Sequence, residues 1–94
     1  MDDRMLREVR SVYPVRDRYL VIEFDDGQYR VVDVQPLLKG PVFEPLKDPA
    51  FFKQVRVDPD AGTVVWPNGA DLAPEVLYER GLPLRLPGEE AAQA

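Results

Sequence analysis

The clearest pattern in the chain is a two-residue alternation. From Tyr19 to Phe24, Leu20, Ile22 and Phe24 recur on one side; the polar tip Asp25-Asp26-Gly27 follows, and then the β-branched run from Gln28 to Val34. Alternate residues of a strand share one face, and an Asp-Gly pair supplies the positive φ of a tight primed turn, so the pattern predicts a β-hairpin. Before it, residues 8–13 read as a first strand that Pro14 stops, because proline brings no N–H to a ladder. Val55-Arg56-Val57-Asp58 and Thr63-Val64-Val65-Trp66, joined by Pro59-Asp60-Ala61-Gly62, form a second predicted hairpin, which Pro67-Asn68-Gly69 closes.

Between the hairpins the period breaks down. Residues 35–47 hold three prolines and a glycine, so they accommodate only short helical turns, while Leu37, Leu38, Val42, Phe43 and Leu46 still need burial. Asp48-Pro49 then opens a further turn, with Asp48 as N-cap and Pro49 where its missing N–H costs nothing; of Phe51 and Phe52, one is expected in the core. Residues 71–81 read as a C-terminal helix capped by Asp71 or the residues after it, with Leu72, Val76 and Leu77 as the buried stripe and Gly81 as the stop. The expected fold is a small α+β domain over residues 1–81: two β-hairpins plus an N-terminal strand, short helical turns and a C-terminal helix. Residues 82–94, rich in proline and acid, are expected to trail as a mobile tail.

Composition narrows the chemistry. The 94 residues carry a net charge of -5 and include neither His nor Cys, which removes imidazole bases, thiolates, disulfides and N/S-type zinc sites. Ser11 and Thr63 are the sole hydroxyl nucleophiles besides tyrosine, with Lys39, Lys47 and Lys53 as the only lysines, so acyl transfer is not expected. No stretch approaches the ~20 apolar residues of a membrane span, and Met1 to Arg7 lacks the apolar core of a signal peptide, which makes the expected compartment the cytoplasm. The five arginines of residues 4–18 outnumber Glu8 and Asp17, but the rest of the chain is acidic and repels phosphate backbones, so no direct nucleic-acid partner is expected.

Several motifs together resemble a known bacterial family. They are Phe24-Asp25-Asp26-Gly27, Val32-Asp33-Val34, the segment from Phe43 to Phe52, and above all the string Trp66-Pro67-Asn68-Gly69-Ala70-Asp71-Leu72-Ala73-Pro74-Glu75-Val76-Leu77-Tyr78. Over about residues 8–80 the chain is similar to the family called domain of unknown function 2442. The resemblance implies a small α+β domain without established activity, catalytic residues or cofactor, and in many genomes a neighbouring gene of the toxin and antitoxin kind. Relatives that carry a C-terminal helix-turn-helix differ from this chain, whose last thirteen residues cannot supply one.

Each candidate residue has a functional and a conformational reading. Trp66, Asn68 and Asp71 could form a partner-binding corner; equally, Trp66 fits a core, Asn68-Gly69 a turn and Asp71 a cap. Asp25, Asp26, Asp58 and Asp60 could meet a hard cation, but lack the ligand spacing of a calcium loop and fit turn chemistry, so no metal site is assigned. Arg4, Arg7 and Arg10 would line one face only if their segment were helical, and Tyr13, Tyr19, Tyr29 and Tyr78 could stack bases or simply pack across strands.

Two functions remain. The first is a non-enzymatic protein-interaction module, antitoxin-like in the sense the resemblance implies, that takes a small protein partner or a second copy at a sheet edge or the Trp66 corner. The alternative is a carboxylate- or metal-dependent enzyme, or a nucleotide-binding protein, in which Glu23, Asp33 and Asp71 converge.

Overall fold

A computed structural model describes residues 7–88. Four antiparallel strands form the main sheet in the order β1-β2-β3-β6: β1 (Val9–Val15), β2 (Tyr19–Phe24), β3 (Tyr29–Asp33) and β6 (Leu82–Leu84). A two-stranded ladder pairs β4 (Arg56–Asp58) with β5 (Thr63–Val65). Short 3-10 helices at Gln35–Leu37 and Pro41–Lys47, then α1 (Pro49–Phe52) and α2 (Pro74–Arg80), complete the α+β domain that the sequence predicts.

Burial follows the alternation in β2. Leu20, Ile22 and Phe24 are fully enclosed, as are Val32 and Val34 beside them, Leu46 and Phe52 from the proline-rich segment, Val64 and Trp66 after β4, and Leu77 from α2. These side chains form one cluster, so the helices and the small ladder cover a single face of the main sheet. Of the phenylalanine pair, Phe52 enters the core and Phe51 packs half-buried against it, below an N-cap in which Asp48 Oδ1 accepts from Ala50 N at 3.1 Å.

Five expectations need correction. β1 runs through Pro14 to Val15 and turns directly into β2, making an unforeseen hairpin whose turn holds Arg16 at φ 58°; an edge strand tolerates proline because one side of its ladder is open. The Asp25-Asp26-Gly27 turn is not primed. Only Gly27 has positive φ, and the bonds from Phe24 N to Gln28 O and Gly27 N to Phe24 O enclose a three-residue loop ending in a glycine bulge. Asp71 does not cap α2: it bridges Val65 on β5, while Ala73 occupies the cap without a side-chain bond. Val76 is 37% exposed, leaving Leu72 and Leu77 as the helix's inward contacts, and Gly81 stops the helix at an ordinary φ of -75°. Its lack of a side chain serves packing, since a Cβ there would lie 2.7 Å from Arg30 Cβ.

The fifth concerns the tail. Where it was expected to begin, Leu82, Pro83 and Leu84 pair with Val31, Arg30 and Tyr29 as the fourth strand. Residues 89–94 of that expected tail, like Arg4 of the arginine series, lie outside the described residues.

Candidate binding face

The main sheet has a second face, opposite the core. Register places Tyr13, Val21, Val31 and Leu82 in one row across all four strands. Ser11, Glu23, Tyr29 and Leu84 form the row on one side of it, and Val15, Tyr19 and Asp33 the row on the other. With strands spaced by about 4.8 Å, the central row is about 14 Å wide. It is apolar from end to end, yet Tyr13 is 53% and Leu82 73% exposed, and Val21 and Val31 are half-buried only by their neighbours. None of these four side chains joins the core cluster.

An antiparallel sheet with one face in water should present polar residues there. This one presents valine, leucine and tyrosine. The period of Leu20, Ile22 and Phe24 marks only the side of β2 that fills the core, but the chain carries a second signal: Tyr19-Leu20-Val21-Ile22 is an unbroken apolar run rather than a true alternation, the mark of a strand with both faces covered.

The edges of the same sheet are less open. β1 contains Pro14, and at its start Val9 N donates to Gly62 O at 3.0 Å, so the small ladder occupies that end. β6 is three residues long with Pro83 at its centre. A proline in each edge strand, and the shortness of β6, are the usual protection against pairing with another chain.

The Trp66 corner is internally bonded. Trp66 is 1% exposed; its indole Nε1 donates to Phe52 O at 3.0 Å, and its ring lies 6.0 Å from the Phe52 ring. Asn68 is exposed but engaged, donating to Val42 O at 2.9 Å and accepting from Ala70 N at 3.1 Å, while Gly69 at φ 90° completes the turn. Asp71 is exposed. The corner ties three segments together, and its indole faces inward.

The carboxylates proposed for catalysis do not converge. Glu23 pairs with Tyr29 near one end of the β2–β3 hairpin and Asp33 with Tyr19 at the other. Asp33 takes a two-pronged bond from Arg18, at 3.0 and 2.7 Å, and accepts from Gln35 N at 3.2 Å. The Arg18 bond holds the Asp33 carboxyl below its usual range. Asp58 Oδ1 accepts from Asp60 N, a local turn bond. Among the described residues, no group of three or more acids could hold a metal ion.

The arginine series splits as well: Arg10 sits in a bulge of β1, while Arg7 reaches the hairpin tip, 3.1 Å from Asp25 and 3.4 Å from Asp26. Three of the four tyrosines lie on the open face, and Tyr78 does not. Its ring meets Phe24 edge-on at 4.9 Å and is flanked by the guanidinium groups of Arg7, 4.4 Å away, and Arg30, 3.8 Å away. The Tyr78 hydroxyl donates to Asp26 Oδ2 at 2.7 Å. Burial by itself would raise the Asp26 carboxyl, but Tyr78, the Gln28 amide, Arg7 and Arg30 outweigh it and hold the group below its ordinary value. This cluster satisfies its own charges and fastens the hairpin tip to α2.

No described helix is long and apolar enough to cross a membrane. Comparison with curated proteins and with solved structures found no match. A family described as a protein of unknown function, DUF2442, matches residues 9–83, from the start of β1 into β6. That span takes in β1 to β5, most of β6 and both α-helices, and the chain belongs to the DUF2442 family.

Proposed function

We propose that this domain is a protein-interaction module whose binding surface is the outer face of the four-stranded sheet. One observation carries the reading: the Tyr13-Val21-Val31-Leu82 row is continuous and apolar, with exposed ends and a half-buried centre. Contiguous exposed apolar surface on a small domain is characteristic of a partner site, since covering it gains the free energy that burial of the inner face already supplies. The face thus replaces the sheet edge and the Trp66 corner as the contact region. The antitoxin-like role implied by the family resemblance is one form of this reading, with the toxin-like neighbour as the small protein partner. No observation favours the carboxylate-dependent enzyme, because Glu23, Asp33 and Asp71 stay apart.

The test is affinity purification of the tagged chain expressed at its native locus, with mass spectrometry of what co-purifies and a light-scattering mass of the eluted complex. Val31→Glu puts a charge in the central row at a stability cost of about 1 kcal/mol or less. The expected result is one stoichiometric partner retained by the wild type and lost by the variant at a similar melting temperature. A complex mass of two copies, abolished by the same change, would make the partner a second copy. A monomer alone, or capture indifferent to Val31→Glu, would overturn the reading.

A further inference from the structure

The β2–β3 hairpin carries four carboxylates, Glu23, Asp25, Asp26 and Asp33. Arg7 lies within ion-pair distance of Asp25 and Asp26, and Arg18 serves Asp33. Glu23 is the exception. Among the described residues no cation pairs with it, and its partners are neutral: Ser11 Oγ donates to Glu23 Oε1 at 3.0 Å, and the Tyr29 phenol lies beside it.

Glu23 also has a distinctive place. It lies on the open face between Ser11 and Tyr29, one row from Tyr13 and Val21. Its charge is the chief influence raising the Tyr29 phenol above its usual range, with partial dehydration and Tyr13 adding to it. The face therefore has an apolar stretch along Val21, Val31 and Leu82 between two carboxylates: Asp33, which Arg18 already pairs, and Glu23, which lies beside phenol rings.

Any partner that covers the apolar row also takes Glu23 out of water. A buried carboxylate without a counter-charge is strongly unfavourable, so a wholly apolar partner is penalised at this point. A guanidinium suits the place best, because its planar fork bonds a carboxylate in two places while its faces stack on aromatic rings. A second copy fits poorly, because each copy brings a net charge of -5.

We propose that the occupant of this face is a different protein, one that places an arginine flanked by apolar side chains against Glu23, between Tyr13 and Tyr29. The inference rests on the sheet face being the binding surface and adds the chemistry of what binds there. It makes Glu23 a specificity residue, and makes the interaction weaken as salt is added.

The probe is an N-acetylated, amidated isoleucine-arginine-isoleucine tripeptide, titrated to millimolar concentration into the nitrogen-15-labelled full chain, beside the same peptide with glutamine in place of arginine. Amide shifts of Ser11, Tyr13, Val21, Glu23, Tyr29, Val31 and Leu82 report binding. The expected result is perturbation of these amides by the arginine peptide, with binding about tenfold weaker for the glutamine peptide and for the Glu23→Gln protein, the scale of a charge-assisted hydrogen bond. Because Glu23 points outward, the spectrum of the free Glu23→Gln chain away from the face serves as the check that it folds. Equal binding of the two peptides at the face, or binding unchanged by Glu23→Gln, overturns the arginine assignment while leaving the face as a surface. Shifts confined to other residues, or no shifts with either peptide, overturn it together with the surface on which it rests.

Discussion

Replacing Trp66 with phenylalanine separates a structural tryptophan from a partner-binding one. The indole is 1% exposed and donates to Phe52 O at 3.0 Å, in a cluster with Phe24, Phe52 and Leu77. Phenylalanine leaves that carbonyl with only the longer bond from Val55 N, at 3.3 Å, so the lost hydrogen bond costs about 1 kcal/mol. The smaller ring also removes packed carbon and leaves a partial void, for about 1–2 kcal/mol more. The expected loss is thus about 2–3 kcal/mol from a total of about 5–15 kcal/mol for a domain of this size. In a chain this short, that lowers the melting temperature by about 10–20 °C. Urea and thermal unfolding followed by far-ultraviolet circular dichroism measure it; fluorescence does not serve, since Trp66 is the only tryptophan. A loss below about 1 kcal/mol, the range of substitutions on a surface, would refute the reasoning and return Trp66 to the partner-binding corner.

Four further outcomes follow from the same structure. Tyr78→Phe removes the donor at 2.7 Å from Asp26, so the Asp26 pKa rises toward its ordinary value in a carbon-detected carboxylate titration; a group depressed in the folded state stabilises above its unfolded pKa and loses that contribution as pH falls through the folded one, so the variant's deficit should appear near neutral pH and shrink in acid. Gly81→Ala places a Cβ 2.7 Å from Arg30 Cβ and 3.0 Å from Leu77 O, and should cost about 1–3 kcal/mol in urea unfolding. Gly69→Ala, in open space but at φ 90°, meets backbone strain alone and should cost about 1–2 kcal/mol; an unchanged midpoint for Gly81→Ala would contradict the close approach. Ending the chain at Gly81 deletes β6 and exposes the backbone of Tyr29 to Val31, so hydrogen exchange at that edge should quicken and the melting temperature should fall; a truncated chain indistinguishable from the full one would restore residues 82–94 as a tail.

Most elements could be read from the chain itself. The period of Leu20, Ile22 and Phe24, the Asp-Gly tip, the Asp48-Pro49 helix start and the return strand at Thr63 depend on neighbours a few residues apart, where backbone sterics and local hydrogen bonds decide. The absence of imidazole and thiol, also read directly from the chain, narrows the chemistry open to it. Distant contacts decided the rest. Leu82 to Leu84 carry no convincing strand pattern and become a strand because β3 offers an edge, Asp71 leaves its cap position for a bridge to Val65, and Trp66 is buried because Phe52 supplies a carbonyl fourteen residues away. The open face is itself a tertiary fact. Tyr13, Val21, Val31 and Leu82 come from four separate segments, and only the register of three strand pairs sets them side by side; among the described residues, the helices and the small ladder pack on the opposite face of the sheet.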